Sequence, residues 1–387
     1  MVCVIAGSER LVLDEGSWEI PSDTWIFQQR GLFVQAHFVI FFSFPTSHKV
    51  CMHKITLIPG DGIGPSIAEA AMSVVEASGV DVEWDVVEAG LSAVEKYKDP
   101  LPVRVIDSIR NTSVALKGPL TTPVGLGFPS VNVALRREFD LYVNLRPVRS
   151  FDGVPARYKD IDLIIVRENT EGLYVGKERY VDDAKDLAEM VGLISRRGSE
   201  RVITFAYEYS RAHGRRKVTA VHKANILKLT SGLFLEVARA IGARYPDIGT
   251  DEKIIDNMAM QLVLRPEQFD VIVTTNLFGD ILSDLACGLV GGLGLAPGAN
   301  LGDGAAIFEA VHGSAPDIAG KDIANPCALI LAAAMMLRHL GESSAAEKIE
   351  ASVAGVLKDG KRVTRDLKPL NPVGTREMTE AIIERVR

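Results

Sequence analysis

Asp280 and Asp284 stand four residues apart in TTNLFGDILSDLACGLVGGLG, where an apolar run that reads as a strand gives way to a helix. Four residues apart on a helix means one face. Two carboxylates held there repel each other unless a cation or a basic group lies between them, so the pair points to a hard-metal site for Mg2+ or Mn2+. The other reading is two solvated acids favoured by the helix dipole. A third carboxylate, Asp256 in IIDNMAMQLV, tips the choice toward metal, because three oxygen ligands leave positions for substrate and water at a Lewis-acid centre. Basic residues supply the complement. Arg136, Arg146 and Arg167 lie in ALRRE, VNLRP and IIVREN, the last two directly after apolar runs. Arginines at strand ends of α/β proteins face the crevice where ligands bind. Bidentate guanidinium pairing would suit a substrate with several carboxylates. A single such arginine reads as a surface ion pair; three together are harder to explain that way.

The elements that must position these groups alternate along the chain. KITLI, Lys54 to Ile58, reads as a buried strand, and Ile67, Ala70, Ala71, Val74 and Val75 then repeat at helical spacing, predicting a helix from Ser66 to Ser78. Further strands are expected at Ser113 to Leu116, Leu141 to Leu145, Asp162 to Val166, Lys217 to Val221 and Asp270 to Thr275. The clearest helices between and after them run from Ile226 to Gly242, Ile281 to Val290 and Ala328 to Leu340. This is an α/β pattern. PGDGIGP, Pro59 to Pro65, invites comparison with a dinucleotide fingerprint, but its spacing is GxGxG, and no acidic residue closes a second strand at the expected distance. Taken alone it is as readily a tight turn.

Composition narrows the partners. A net charge of −7 argues against a phosphate-tracking basic surface, so the expected partner is a small molecule and not nucleic acid. The four cysteines, Cys3, Cys51, Cys287 and Cys327, show no paired spacing and imply a reducing compartment. The first fifty residues differ from the rest. They run aromatic and irregular through Trp18, Trp25, Phe27, Phe33, Phe38, Phe41, Phe42 and Phe44, with no helical period and no paired strand signal, and predict no domain. The run from Gly31 to Phe44 is too short to span a membrane. Glu9, Asp14, Glu15, Glu19 and Asp23 disfavour an acid-poor mitochondrial presequence, so the expected location is the cytoplasm, or the mitochondrial matrix in a eukaryote. Met52, just before the first clean strand, is taken as the true start.

In order along the chain, LIPGDGIGP, KGPLTTPVG, RENTEGLY, VHKANI, NLFGDILSDL and EAVHGSAPDIAGKDIANP resemble the family of isocitrate, isopropylmalate and homoisocitrate dehydrogenases, metal-dependent decarboxylating enzymes. The resemblance covers Lys54 to Arg387. It implies a two-domain α/β, isopropylmalate dehydrogenase-like fold that is not a standard Rossmann fold. Residues 1–51 would be an extension, 52–138 with 291–387 a large cofactor-binding domain, and 139–290 a small domain carrying a homodimer interface. It also implies active sites shared between subunits, with Asp280 and Asp284 binding metal in one and Asp256 reaching it from the other. Lys223 matches the base at the substrate hydroxyl, contributed by the neighbour, and Tyr174 the group that delivers a proton to C3.

Within the family, Ser130 and Asn132 match the hydroxyl and amide that meet the γ-carboxylate of isocitrate, where isopropylmalate enzymes carry apolar side chains. Homoisocitrate, longer by a methylene, remains an alternative; Ser130 could also simply cap its helix, with Asn132 facing solvent. Asp317 and Ile318 match members that use NAD, since a carboxylate accepts from both ribose hydroxyls and repels a 2′-phosphate. His312, Gly313, Ala315 and Asn325 match the rest of the adenosine loop, and Asn225 and Thr121 residues near the nicotinamide. The implied activity is NAD-dependent, metal-assisted decarboxylation of isocitrate to 2-oxoglutarate. A different class, a regulatory subunit of a hetero-oligomer, usually lacks part of the Tyr, Lys and Asp set, which is complete here.

Overall fold

Short β-branched runs and longer amphipathic stretches alternate through the computed structural model, which describes residues 52–122, 130–368 and 370–387 together with four short strands in the first fifty. The chain forms two units, Met1–Val50 and Cys51–Arg387. In the first, β1 (Val2–Ala6) pairs antiparallel with β2 (Glu9–Leu13), and β3 (Gln28–Gln29) with β4 (Leu32–Phe33). The absence of paired strands expected here is therefore corrected. The overlooked signal is Gly7-Ser8 between VCVIA and ERLVL, a dipeptide favoured between hairpin strands. Most aromatic positions of this segment lie outside the described residues.

The second unit runs β5 (His53–Ile58), α1 (Gly64–Ala77), β6 (Val82–Val86), α2 (Leu91–Tyr97), α3 (Val103–Thr112), β7 (Val114–Lys117), α4 (Val131–Glu138), β8 (Val143–Arg149) and β9 (Asp162–Glu168). It continues with β10 (Gly172–Tyr180), β11 (Ala188–Leu193), α5 (Arg196–Ala212), β12 (Lys217–His222), α6 (Thr230–Gly242), β13 (Gly249–Ile254), α7 (Ile255–Leu264), β14 (Val271–Thr274) and α8 (Asn276–Val290). Last come β15 (Pro297–Leu301), β16 (Ala306–Ala310), α9 (Cys327–His339), α10 (Ser343–Asp359) and α11 (Thr375–Val386).

Ten strands make one mixed sheet in the order β13-β12-β14-β9-β8-β15-β16-β7-β5-β6. Both flanks are parallel, as crossover helices require, while β15 is antiparallel to β8 and β16, and β9 to β8. This register builds the site. Leu145 aligns with Ala299, Ala299 with Phe308, and Phe308 with Leu116. The next residues along the three co-directional strands, Arg146, Glu309 and Lys117, therefore come level across the sheet. The helices seal both faces: α9 is buried along almost its whole length against the largest core cluster, beside Leu116, Ala299 and Phe308. β10 and β11 stand apart as an antiparallel ribbon exposing Leu173, Tyr180, Met190, Val191 and Leu193.

The expected strands all form. Two helix starts differ by four residues or more. α6 begins at Thr230 instead of Ile226, and α8 at Asn276 instead of Ile281. Among the described residues no helix is long and apolar enough to cross a membrane.

Candidate active site

The glycine turn after β5 is stitched into the protein itself. Gly60 and Gly62 have φ of +82° and +60°, and a Cβ would meet Pro119 O at 2.3 Å and Ser314 O at 2.0 Å respectively. Only glycine fits there. Asp61 N donates to Pro119 O and Ile63 N to Ser314 O, while the Asp61 carboxylate accepts from Leu91 N at 2.9 Å and Thr121 N at 2.8 Å. Thr121 Oγ1 in turn lies 2.6 Å from Ser314 Oγ. PGDGIGP thus sets the positions of two loops that the sequence assigns to cofactor.

A cavity of about 220 Å³ gathers Ser130, Asn132, Arg136, Arg146, Arg167, Tyr174, Asp280, His312 and Gly313, so substrate-side and cofactor-side candidates meet in one space. A larger groove of about 670 Å³, between α5 and α6, contains none of them. The three arginines arrive from α4, β8 and β9 and are buried to 8%, 5% and 1% exposure. Such charges stay inside only with partners. Arg167 pairs with Asp280, and Arg146 lies 3.3 Å from Asp280 and 3.4 Å from Asp284. Burial, then repulsion from Arg146 and Arg136, lowers Arg167 to about 9, which leaves it charged at neutral pH.

Asp280 is the acidic counterweight. Burial alone would raise it, but Arg167, Arg146 and a hydrogen bond from Tyr174 together hold it below the usual carboxylate range. Asp284, half exposed, moves the other way, chiefly through burial. Tyr174 Oη donates to Asp280 at 2.6 Å, and its ring lies under the Arg167 guanidinium, 5.2 Å from the centroid. Burial and that hydrogen bond raise the phenol, so it keeps its proton at neutral pH.

Ser130 caps its helix and also faces the cavity. Its Oγ accepts from Val133 N at 3.5 Å as the cap of α4, and it also lines the cavity. Asn132 does not face solvent, as the alternative had it: its Oδ1 is buried without a hydrogen-bond partner among the described residues. An unpaired buried amide is costly unless something in the cavity completes it.

Other candidates sit elsewhere. Lys223, just past β12, donates to Asp256 at the start of α7 over 2.7 Å, and that hydrogen bond lowers the Asp256 carboxylate. Asp256 is 69% exposed, and among the described residues no three acidic, histidine or cysteine side chains gather to hold a metal. Asp280 and Asp284 therefore share a face of α8 while Asp256 does not join them within one chain. Asn225 is exposed in the turn after Lys223. His312, whose Nδ1 donates to Gly313 O at 3.0 Å, is pushed down by burial and stays neutral. Ala315 takes a left-handed φ of +39°, turning the chain into the short 3-10 segment Pro316–Ile318 that exposes Asp317. Ile318 packs against the core, and Asn325 Oδ1 accepts from Cys327 N while its Nδ2 donates to Asp366.

The sequence model of the isocitrate/isopropylmalate dehydrogenase family matches residues 54–382. The chain belongs to that family. Among its relatives, the probable NAD isocitrate dehydrogenase subunit alpha, mitochondrial, of Drosophila melanogaster is 47% identical over 314 residues, covering 81% of this chain and 83% of the relative. The NADP isocitrate dehydrogenase of Thermus thermophilus is 50% identical over 334 residues, 85% of this chain and 67% of the relative. A Dictyostelium discoideum relative, 49% identical over 317 residues, 82% of this chain and 87% of its own, is named as a regulatory subunit of the mitochondrial NAD enzyme. The crystal structure of isocitrate dehydrogenase from Methylococcus capsulatus superposes with a TM-score of 0.86 at 59% identity, covering 87% of this chain and 100% of that one. The fold is therefore that of the family. The relatives' names divide between NAD and NADP.

Two residues of the family chain were missed. Lys117 and Glu309 both line the cavity, 3% and 9% exposed, and pair at 2.6 Å. Arg136 stands 3.7 Å from the same carboxylate, and Asn300 Nδ2 donates to it at 2.7 Å. Burial opposes the charge, but Lys117 and Arg136 bring Glu309 down to about 2. The signal was present: Lys117 ends an apolar strand run, as Arg146 and Arg167 do.

Proposed function

We propose that this protein oxidises isocitrate with NAD and releases carbon dioxide and 2-oxoglutarate, in a reaction that requires Mg2+ or Mn2+. The observation that carries the reading is the cavity's cation set: Arg136, Arg146 and Arg167 surround one space that Ser130 also lines, together with Asn132, whose Oδ1 has no partner among the described residues. Three guanidiniums match three carboxylates. An isopropyl group would offer no hydrogen bond to the buried Asn132 Oδ1 or to the Ser130 hydroxyl, which disfavours isopropylmalate. Homoisocitrate is the alternative substrate.

Asp280 and Asp284 would hold the metal with Asp256 of a second copy, a set of hard oxygen donors that leaves room for water and substrate. When bound, the cation would supply Lewis acidity at the substrate and NAD would supply the hydride acceptor. The chain's own residues do the rest. Lys223 of the second copy, freed from Asp256 and having released its proton to solvent, accepts the hydroxyl proton as a neutral amine, while the arginines fix the carboxylates so that the new ketone lies β to the one that leaves. The carbon-carbon bond breaks, carbon dioxide departs, and the electron pair remains as an enolate that the cavity's positive charge stabilises. Tyr174, neutral and hydrogen-bonded to Asp280, delivers a proton to C3.

Sharing of the site implies association. Met260, Val263 and Leu264 on α7 and Ile281 on α8 are exposed apolar residues beside Asp256 and Asp280, as an interface would require. We take the assembly to be a homodimer, with 52–138 and 291–387 forming the cofactor domain and 139–290 the interface domain. Presence of Tyr174, Lys223, Asp256, Asp280 and Asp284 together supports a catalytic subunit over a regulatory one. The exposed carboxylate of Asp317 supports NAD over NADP, since it accepts from ribose hydroxyls and repels a 2′-phosphate. Purified protein assayed with isocitrate, homoisocitrate and isopropylmalate, each with NAD and NADP, tests the reading. The highest kcat/KM is expected for isocitrate with NAD; preference for another pair overturns the assignment.

A further inference from the structure

Arg167 carries its charge to the cavity from almost complete burial, and the first two turns of α8 are shaped around it. Asn276, Gly279 and Asp280 fall at i, i+3 and i+4, so all three face the same neighbour. Gly279 leaves room for the arginine stem: a Cβ at this position would lie 2.6 Å from both Cβ and Cγ of Arg167. Asn276, with no exposed surface, accepts at Oδ1 from Arg167 Nε at 3.0 Å and from Nη2 at 2.7 Å. Its Nδ2 donates to Glu171 O at 3.1 Å. The amide has only one orientation that works, because guanidinium nitrogens only donate and the Glu171 carbonyl only accepts.

We propose that Asn276 is a positioning residue for substrate binding, which with Gly279 forms a fixed cradle that sets the plane of the Arg167 guanidinium. The inference rests on the proposed isocitrate activity. Of the five N–H groups on the guanidinium, Asn276 takes two and Asp280 one, so two remain for a substrate carboxylate. The Asn276 contacts do not involve Asp280. When Asp280 turns to a metal, as the proposed function requires, Arg167 loses its ion pair but keeps its orientation through a neutral amide. A neutral holder also leaves the full positive charge available to the substrate, which a second carboxylate would cancel. Asn276 does not line the cavity, so its effect reaches the substrate through Arg167.

The test is a double-mutant cycle on the full chain, read as kcat and KM for isocitrate, KM for the nicotinamide cofactor and Tm. Asn276→Ala is expected to raise the isocitrate KM about tenfold or more, in line with lost hydrogen bonds to a charged group, and to leave the cofactor KM within about twofold. In an Arg167→Lys background, where no planar fork remains to be oriented, the same substitution should change the isocitrate KM less than about threefold. Gly279→Ala displaces the arginine stem without removing a hydrogen bond, so it gives a second variant with the same expected rise in isocitrate KM. A loss in Asn276→Ala that repeats in full with Lys at position 167, or a fall in Tm with normal isocitrate KM in either variant, overturns the cradle. Wild-type protein that does not turn over isocitrate with either cofactor instead overturns the underlying function.

Discussion

Removing the buried carboxylate of Glu309 by Glu309→Gln should destabilise the protein by an amount that its surroundings set. Lys117 lies 2.6 Å and Arg136 3.7 Å from this carboxylate, and only 9% of the side chain is exposed. Its folded pKa falls from the ordinary 4.5 to about 2. At about 1.4 kcal/mol per pKa unit, that drop corresponds to a stabilisation on the order of 3 kcal/mol at neutral pH. A similar figure follows independently, since breaking a buried pair costs about 3–5 kcal/mol by stranding the remaining charge. The pH dependence has a definite sign. A depressed folded pKa means that the contribution is complete above 4.5 and is lost as pH falls toward about 2. The stability gap between wild type and Glu309→Gln, measured by urea unfolding, should therefore stay level from pH 8 to pH 6. Lys117→Met should lose a comparable amount at pH 7, and the double variant less than the two losses combined. Wild-type stability in Glu309→Gln, strict additivity of the pair, or a gap that closes by pH 6 would refute the reasoning.

Two further outcomes test the proposed site. Asp317→Lys with Ile318→Tyr should move the preference from NAD toward NADP, because repulsion of a 2′-phosphate is replaced by a cation; kcat/KM for both cofactors measures it, and unchanged ratios count against this loop. Mixed Lys223→Met and Asp280→Asn subunits, each inactive alone, should regain activity through hybrid dimers in which both lesions fall in one site and the other is intact. No recovery, when exchange is shown independently, argues against a shared site.

Much of the sheet was readable because buried strands are short apolar runs, and Arg146 and Arg167 stood out as charges at their ends. The errors have physical causes. Ile226, Leu227 and Leu229 precede α6 and carry apolar side chains at spacings that extend a helix pattern upstream, yet they are 66%, 45% and 86% exposed. Nothing among the described residues covers them, so periodicity misjudged the helix start. The opposite error occurred in α8. Asn276 and Gly279 are weak helix formers and made its first turn look like loop, but tertiary contact with Arg167 requires both. Lys117 and Glu309 were overlooked because each reads singly as a charge after a strand, and only the register of β7 with β16 makes them partners.

Four cations from separate elements make the cavity cationic. Lys117, Arg136, Arg146 and Arg167 face Glu309 and Asp280, so four positive groups meet two carboxylates in a space too buried for water to screen them well. Glu309 is committed to Lys117 and Asn300 on one wall. Asp280 is committed to Arg146, Arg167 and Tyr174 on the other, and its partner Asp284 opens to solvent. A polyanion entering this space would compete with Asp280 for the guanidiniums, and a divalent cation would compete with the guanidiniums for Asp280. Each exchange makes the other easier, because both release the same ion pairs. On the proposed function, substrate and metal should therefore bind with positive coupling, and the arginines must keep their geometry while their carboxylate partner changes allegiance, which is the demand that the neutral amide of Asn276 would meet.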